Sequence, residues 1–384
     1  MENMKRLIWW LCKGTVSGIL LIWILFWYMS GTPLGLPRFL FTYYVVGHYY
    51  MEPLAKTALF EGALRGLVDS VGEPHSEYLD SETLEEMMNQ TAGEYSGVGI
   101  VLGERGQGLE VISAVEGQPA SKAGIMTGDR IEAIDGVSTG TIAIDEASRR
   151  IRGKEGTEVV LKISRNNEST EYRIVREKIT LPTVKGKLLE DGIGYIRIGQ
   201  FSERTGDDFS AEYEKLLNAG MTKLVLDLRN NPGGLVTSAR DVSDYIVPEG
   251  PVVSINTRYG PEEVYESEGI GKSLPLVVLI NEGSASASEI IAGAVQDRRA
   301  GTVMGTKSYG KGTVQTVINN FGDEAIKITI AKYHTPNDRV IDGIGIIPDI
   351  ESELLPGERQ SSGIDAAGEP DTQVKAAVGL LRTK

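Results

Sequence analysis

The sequence has 384 residues, of which 53 are acidic and 39 are basic, so its net charge at neutral pH is −14. This acidic balance argues against nucleic acid as a partner. The single cysteine, Cys12, lies in an apolar N-terminal region, which excludes disulfides and thiol catalysis elsewhere, and the sequence indicates neither a Cys/His metal site nor a cofactor.

The N-terminal region predicts a membrane segment. Lys5, Arg6 and Lys13 precede an uncharged, mostly apolar run from Gly14 to Met29. This length fits a short membrane-spanning helix and also a long signal sequence. No small-residue cleavage site follows cleanly, so we expect residues 1–31 to be a cytoplasmic N-terminus and an anchor, with a cleaved signal sequence as the alternative. The basic residues predict a single-pass protein of the cell membrane, with the remainder on the extracytoplasmic side.

Residues 32–93 are predicted to be a helical segment. Apolar residues recur every four positions from Ala55 to Leu67, and Gly72-Glu73-Pro74 ends this pattern. A second short helix is expected after Ser81.

From Tyr95 onward, short β-type runs alternate with glycine-containing turns. The run Ser96-Gly97-Val98-Gly99-Ile100-Val101 resembles the carboxylate-binding loop of a PDZ domain, and Gly128-Asp129-Arg130-Ile131 continues that resemblance. The resemblance implies that residues 94–177 form a β-barrel-like PDZ domain. It also implies that the peptide-binding positions are Gly97, Val98, Gly99 and Ile100.

Residues 178–355 alternate predicted strands with predicted helices, which favours a layered α/β core. Strands are expected at residues 193–198, 223–228 and 276–280. Residues 356–384 are expected to be a linker followed by a short C-terminal helix.

The strand ending at Leu228 leads into Arg229-Asn230-Asn231-Pro232-Gly233-Gly234. Glycines after a strand let backbone amides face a ligand closely, and two such amides are able to stabilise an oxyanion. A simple turn between a strand and a helix is the alternative.

The segment from Asn281 to Glu289 contains three alternating serines, and a glycine-flanked lysine, Lys311, follows it. The three histidines, His48, His75 and His334, are not near this turn in sequence, so lysine is the available base for a serine nucleophile. A lysine acts as a base only when neutral, and lowering its pKa from about 10.4 to about 7 would cost roughly 4 to 5 kcal/mol.

The serine turn and the glycine-flanked lysine each have a structural alternative. Ser286 and Glu289 also fit a capping box before an apolar helix, and Gly310-Lys311-Gly312 also fits a solvated hairpin tip. Gln315, two positions after Thr313 on a predicted strand, could hold the amine by a hydrogen bond. Local sequence does not choose among the three serines.

Taken together, the segments Asn281–Ile291, Gln296-Asp297 and Gly310–Gln315 resemble the C-terminal processing peptidases, also called tail-specific or carboxyl-terminal proteases. The resemblance implies that Ser286 is the nucleophile, Lys311 the general base and Gln315 the lysine-orienting amide. It implies an oxyanion hole at Gly233 and the amide of Ala287. It also implies that residues 32–93 help to pair two chains, a helical lid on the same subunit being the alternative.

The sequence therefore predicts a layered α/β Ser-Lys protease core with an inserted PDZ domain, an N-terminal helical segment and a membrane anchor. The predicted protein is a membrane-anchored, extracytoplasmic serine endopeptidase. It is expected to recognise protein or peptide substrates by their free C-termini and to cleave them through an acyl-enzyme. A PDZ peptide-binding scaffold with an inactive protease-like body is one alternative, and an acyl-CoA hydratase-type fold is another.

Overall fold

The computed structural model describes residues 2–105, 108–114, 117–166, 168–180, 182–355, 358, 363–364 and 369–383. The chain divides into two compact units, Met1–Tyr78 and Leu79–Lys384. The linker expected before the C-terminal helix falls mostly outside the described residues.

The first unit is helical. Its helices are α1 (Glu2–Ser30), α2 (Gly35–Tyr49) and α3 (Lys56–Asp69), and the short strand β1 (Glu77–Leu79) follows them. Within α1, the stretch Lys13–Ser30 is long and apolar enough to cross a membrane, by length and composition alone. No side chain of α2 is buried.

The second unit begins with helix α4 (Ser81–Ala92), which starts where Asp80 accepts a hydrogen bond from the Thr83 N–H at 2.9 Å. It ends at Gly93, whose φ of +75° is the left-handed conformation that suits glycine at a helix C-terminus.

A small β-rich module follows α4. Its elements, in chain order, are β2 (Glu94–Gly97), β3 (Ile100–Arg105), β4 (Gly108–Ala114), α5 (Pro119–Lys122), β5 (Arg130–Ile134), β6 (Val137–Ser138), α6 (Ile144–Ile151), β7 (Glu158–Arg165), β8 (Glu168–Val175) and β9 (Glu177–Thr180). The sheet order is β3-β4-β5-β7-β8, with β6 paired to β5, so β3 is an edge strand. Strands β2 and β9 pair with each other antiparallel, where the chain enters and leaves the module.

The remaining part of the second unit alternates strands and helices. Its elements are β10 (Val184–Leu188), β11 (Ile193–Ile198), α7 (Thr205–Asn218), β12 (Lys223–Asp227), α8 (Val236–Ile246), β13 (Gly250–Thr257), β14 (Glu263–Ser267), β15 (Leu276–Ile280), α9 (Ala287–Asp297), β16 (Thr302–Gly305), β17 (Thr313–Asn320), β18 (Glu324–His334), β19 (Ile350–Glu351) and α10 (Thr372–Arg382). The strands expected at residues 193–198, 223–228 and 276–280 correspond to β11, β12 and β15, which confirms the mixed α/β core.

The central sheet has the order β10-β11-β12-β15-β16-β19, and its strands run parallel from β11 to β19. All five residues of β15 are buried, as expected for a parallel strand covered on both faces. Alternate residues of β15 face opposite sides of the sheet: Val278 belongs to the same core cluster as Ile291 of α9, whereas Val277 belongs to the cluster that contains Val374 of α10. Because β12 and β15 are adjacent and parallel, the turns that follow them meet at one edge of the sheet.

A second, antiparallel sheet contains β17, β18, β13 and β14 in that order. Strands β17 and β18 form a long hairpin, and their register shifts between Val314 and Gln315. Such an irregularity re-aims a side chain, and here it lies immediately before Gln315.

In the β-rich module, an ion pair between the buried Asp129 and the partly exposed Arg165 fixes the Gly128-Asp129 turn. Arg165 donates to both carboxylate oxygens of Asp129, at 2.6 and 2.7 Å, and the Met126 N–H donates to the same carboxylate at 2.8 Å. Burial alone would raise the pKa of Asp129, but these hydrogen bonds and the charge of Arg165 outweigh it and hold the pKa below its usual range.

We expect Asp129→Asn to destabilise this module by about 2 kcal/mol at pH 7, because the amide cannot accept both hydrogen bonds from Arg165. The partial exposure of Arg165 keeps the loss from being larger. The folded pKa of Asp129 is lower than its unfolded value of about 3.9, so its contribution is present above that pH and is lost as pH falls through the folded pKa. Urea unfolding followed by circular dichroism at pH 7 and pH 3 measures this difference.

The matched control is Glu171→Gln, because Glu171 is an exposed carboxylate on β8 with no ion pair among the described residues. We expect it to change the free energy of unfolding by less than about 0.5 kcal/mol. A difference between Asp129→Asn and wild type that is equal at both pH values would contradict the assigned role of the carboxylate.

Candidate active site

Ser286 lies on the turn between β15 and α9 and is 6% exposed. Its backbone angles, φ +53° and ψ −114°, differ from the extended conformation of an ordinary helix N-cap. A strained serine between a strand and a helix is the arrangement of a nucleophile elbow, which presents the hydroxyl at the edge of the sheet. The backbone therefore supports the nucleophile interpretation over capping alone.

The other two serines of this turn have structural contacts. The Ser284 hydroxyl donates to the Leu228 carbonyl at 2.8 Å, and the Ser288 hydroxyl donates to the Asn231 carbonyl at 3.0 Å. Both residues are fully buried. These bonds join the serine turn to the turn after β12, and Ser286 is the serine of this turn that does not make such a bond.

Glu289 connects the serine turn to the lysine loop, and its side chain is fully buried. Its Oε2 accepts hydrogen bonds from the backbone N–H groups of Ser286, at 2.8 Å, and Lys311, at 2.9 Å. Its Oε1 accepts from the Gly310 N–H at 2.7 Å and from the Ser308 hydroxyl at 2.5 Å. The backbones of Ser286 and Lys311 are therefore within two hydrogen-bond lengths of each other.

The capping box predicted from Ser286 and Glu289 is present, with the Ser286 side chain facing the Glu289 N–H and the Glu289 side chain accepting from the Ser286 N–H at 2.8 Å. The same carboxylate has a second role that the sequence pattern did not reveal, because it also holds the lysine loop. Its four hydrogen bonds saturate both oxygens, so it is not available as a base for the serine hydroxyl.

Lys311 lies in a loop that requires its glycine neighbours. A Cβ on Gly312 would lie 2.1 Å from the Asp342 nitrogen, and Gly310 has a φ of +95°. Lys311 is half-buried, and it lies two positions before the start of β17. A solvated hairpin tip is therefore a poor description of this segment.

Gln315 is oriented by two threonines. Its side-chain nitrogen donates to the hydroxyl of Thr313 at 2.9 Å and to the hydroxyl of Thr329 at 3.0 Å. With both N–H groups engaged, the amide carbonyl is the part of Gln315 that is able to accept from an amine.

Tyr333 was not among the predicted site residues, although its side chain is buried and hydrogen-bonds the Ser286 side chain. Burial raises the pKa of Tyr333 to about 12, against the opposing effect of that hydrogen bond. The phenol is thus protonated at neutral pH and is a poor base. Its neighbour His334 points to the opposite face of β18, where it contacts Asp338 at 2.5 Å.

The proposed oxyanion groups lie beside the serine. A Cβ on Gly233 would lie 2.8 Å from the Ser286 Cβ and 3.0 Å from the Ala287 nitrogen. The Ala287 N–H has no acceptor among the described residues, whereas the Gly233 N–H donates to Asn231 Oδ1 at 2.9 Å. Among the described residues the Ala287 N–H is therefore an available donor, whereas the Gly233 N–H would have to share or exchange its present bond.

The predicted peptide-binding residues form a separate groove within the β-rich module. Gly97, Val98, Gly99 and Ile100 line a cavity of about 90 Å³ together with Ile151 and Arg152. The N–H groups of Val98 and Gly99 have no acceptor among the described residues, as in an anion-binding loop. The guanidinium of Arg152 lies over the Tyr95 ring at 5.2 Å, which adds a cation to this groove.

Among the described residues, no group of three or more His, Cys, Asp or Glu side chains is arranged to hold a metal ion. The groups found near Ser286 are the Ala287 N–H, the Tyr333 phenol, the Glu289 carboxylate with its four hydrogen bonds and the loop of Lys311. This arrangement can support acyl transfer to a serine with lysine as the proton acceptor.

Comparisons with known proteins agree with this geometry. Residues 192–352 match the family model described as peptidase family S41, residues 110–165 match a PDZ domain, and residues 34–83 match the N-terminal domain of the activating protease CtpB. The chain is 40% identical over 304 residues to a carboxy-terminal-processing protease of Bartonella bacilliformis, which covers 77% of this chain and 70% of the relative.

A carboxyl-terminal-processing protease of Synechocystis sp. is 36% identical over 345 residues, covering 87% of this chain and 79% of the relative. Among solved structures, the photosystem II D1 C-terminal processing protease is similar with a TM-score of 0.51 and 29% identity, covering 82% of this chain and 87% of that one.

We expect Glu289→Gln to lower the free energy of unfolding by about 2 to 4 kcal/mol. The glutamine side chain replaces one carboxylate oxygen with an NH₂ group, so two of the buried donors lose their acceptor. The same change should slow labelling of the serine by a fluorophosphonate probe, since the turn and the lysine loop would separate. Urea unfolding and the labelling rate measure the two effects.

Glu282→Gln is the matched control. Glu282 lies in the same turn and is exposed, where it accepts a hydrogen bond from the Thr306 hydroxyl at 3.0 Å. Equal effects of the two substitutions would show that the buried carboxylate has no special role in joining the two loops.

Proposed function

The chain belongs to peptidase family S41, with the carboxyl-terminal-processing proteases, and from that premise we propose an extracytoplasmic endopeptidase that cleaves protein substrates through an acyl-enzyme on Ser286. The chain is a serine-type peptidase with a PDZ domain. The observation that carries the proposed Ser-Lys mechanism is the shared Glu289 oxygen, which holds the Ser286 and Lys311 backbones side by side.

In the proposed mechanism, the neutral amine of Lys311 accepts the Ser286 proton while Oγ bonds to the scissile carbonyl carbon. The resulting tetrahedral intermediate collapses when the C–N bond breaks and the lysine ammonium gives its proton to the leaving amine. A water molecule, deprotonated by the same amine, then hydrolyses the ester and restores Ser286. No metal or cofactor takes part.

Two amides are proposed for the oxyanion. The Ala287 N–H supplies the first hydrogen bond, and its lack of another acceptor among the described residues supports this role. Gly233 supplies the second after its N–H turns from Asn231 Oδ1 to the substrate. An oxyanion donor of this kind is typically worth a few kcal/mol in the transition state.

Gln315 is proposed to orient the lysine. The two threonine contacts engage both N–H groups of the Gln315 amide. Its carbonyl oxygen is then the atom that is able to accept a hydrogen bond. A hydrogen bond from the Lys311 amine to this oxygen would hold the lone pair of the amine toward Ser286.

The PDZ domain is proposed to bind the substrate's C-terminal tail. The tail would add as a strand to the open edge of β3, and its carboxylate would meet the amides of Val98 and Gly99 with flanking contacts at Gly97 and Ile100. The positive charge of Arg152 at the same groove supports recognition of a carboxylate.

We retain the predicted division of the chain as a proposal, with residues 1–31 as the anchor region, 32–93 as the helical segment, 94–177 as a barrel-like PDZ domain, 178–355 as the protease core and 356–384 as linker and C-terminal helix. Within α1, the stretch Lys13–Ser30 is long and apolar enough to cross a membrane, which supports a single-pass anchor in the cell membrane. A cleaved signal sequence is the other interpretation. Pairing of two chains through residues 32–93 is also a proposal.

The main alternative is a PDZ scaffold with an inactive protease-like body. It would retain the carboxylate-binding groove but would not require the strained backbone of Ser286 or the Glu289 contacts. The family assignment excludes the hydratase-type alternative, which predicts thioester binding in place of peptide hydrolysis.

We expect Ser286→Ala and Lys311→Met each to reduce β-casein hydrolysis by about 10³-fold or more, because either change removes one half of the dyad. Initial rates on a fluorescent β-casein substrate provide the measurement. Lys307→Met is the matched control, since Lys307 is exposed and lies four positions before Lys311 in the same loop. Equal initial rates of β-casein hydrolysis for wild type and Ser286→Ala would contradict the dyad and favour the inactive PDZ scaffold.

The anchor can be tested by tryptophan fluorescence, because the four tryptophans of the sequence, Trp9, Trp10, Trp23 and Trp27, all lie in α1. An uncleaved anchor predicts that the protein isolated from membranes shows blue-shifted emission protected from aqueous iodide. Removal of α1 as a signal sequence predicts a mature protein without tryptophan emission, and that result would overturn the anchor. Tyrosine emission from the remaining chain serves as the internal control.

A further inference from the structure

Arg229 is the largest fully buried side chain of the second unit, and it lies at the start of the turn that carries Gly233. One side of its guanidinium contacts Asp227, with Nε to Oδ1 at 2.9 Å and Nη2 to Oδ2 at 2.7 Å. Asp227 also accepts from the Tyr195 hydroxyl at 2.7 Å. The partners on this side of the guanidinium, Asp227 and Tyr195, therefore belong to strands of the central sheet.

The other side of the guanidinium contacts the C-terminal helix α10. Arg229 Nη1 lies 2.6 Å from Gln373 Oε1 and 3.0 Å from Asp371 Oδ2. Asp371 is the N-cap of α10, where its Oδ1 accepts the Val374 N–H at 2.9 Å, and Gln373 donates to the Ser352 carbonyl. Both residues are nearly fully buried. A helix 144 positions away in sequence thus completes the contacts of Arg229.

The residues after Arg229 transmit its position to the serine turn. The Asn230 N–H donates to Asn281 Oδ1 at 2.7 Å, and the Asn281 amide donates back to Asn230 Oδ1 at 2.8 Å. The Ala285 N–H donates to the Asn231 carbonyl at 3.0 Å. Two residues further along, Gly233 abuts Ser286. These contacts couple the position of Arg229 to the placement of Gly233 against Ser286.

The opposite end of α10 is attached differently. Arg382 pairs with Asp191 at 2.7 Å and with Glu190 at 3.5 Å, and these side chains are exposed. Leu381 packs in the core below the sheet, and its carbonyl accepts from Lys223 at 2.7 Å. These contacts hold the helix on the sheet without reaching the turn after β12.

We propose that Asp371 and Gln373 are positioning residues of the active site, acting through Arg229 on the oxyanion turn that contains Gly233. This inference rests on the proposed function of Ser286 and extends it to a helix that supplies no group to the reaction. The helix docks by its apolar face, and its N-terminal polar residues set the geometry of the turn. Docking and positioning are therefore separable by substitution.

Asp371→Asn tests the positioning role, because asparagine is as good an N-cap as aspartate and yet lacks the charge that pairs with Arg229. We expect kcat on a fluorescent β-casein substrate to fall about 10-fold or more, with KM nearly unchanged, since a small misplacement of the oxyanion donors affects the transition state. The rate of fluorophosphonate labelling of Ser286 should fall in parallel. Gln373→Met replaces this variant if Asp371→Asn does not fold.

Two controls on the same helix separate positioning from stability. Arg382→Ala removes the exposed ion pairs at the far end and should leave kcat unchanged. Leu381→Ala weakens the docking of the helix and should lower the melting temperature at least as much as Asp371→Asn, while kcat below the transition stays close to wild type.

The proposal is overturned if kcat simply follows the melting temperature across all three variants, or if Asp371→Asn retains wild-type kcat and labelling. Failure of the proposed function itself is distinguishable, because it would appear as undiminished hydrolysis by Ser286→Ala in the same assay. All measurements use the full chain in detergent.

Discussion

The active-site geometry depends on one buried carboxylate. Glu289 satisfies four donors from two loops that are separated in sequence, and two of these donors are the backbone amides of the proposed nucleophile and base. A buried carboxylate is stable only when its oxygens are hydrogen-bonded, so the loops cannot separate without exposing unsatisfied polar groups. The arrangement makes the alignment of Ser286 and Lys311 a requirement of folding.

The central sheet determines where this clamp can form. Because β12 and β15 are adjacent and parallel, their C-terminal turns face each other, and the asparagines of the two turns interlock. The antiparallel hairpin of β17 and β18 then brings Tyr333 from another sheet to the Ser286 side chain. Elements from two sheets thus meet at one edge, which is where parallel α/β sheets generally place their sites.

Part of this could be predicted from the sequence. Short apolar runs predicted β11, β12 and β15, and the resemblance of the serine and lysine motifs to those of the C-terminal processing peptidases indicated a peptidase. The contacts of Glu289 with the lysine loop were not predictable from the sequence. A capping box explains the same local pattern and requires only the hydrogen bond between Glu289 and the Ser286 N–H. Tyr333 was missed because strand alternation shows which side chains share a face but does not identify what lies opposite. Asp371 and Arg229 are far apart in sequence, and only the folded sheet brings them together.

The distance between Arg229 and its partners on α10 also affects when the site can form during synthesis. A ribosome adds roughly 5 to 20 residues per second, so the 144 positions from Arg229 to Gln373 take on the order of ten seconds to translate. During that interval β15, the serine turn and the lysine loop are synthesised, while one side of the guanidinium of Arg229 still lacks its acceptors. The nascent chain therefore passes through a stage in which the residues of the site are synthesised but the contacts of Arg229 are incomplete, and the docking of α10 ends that stage.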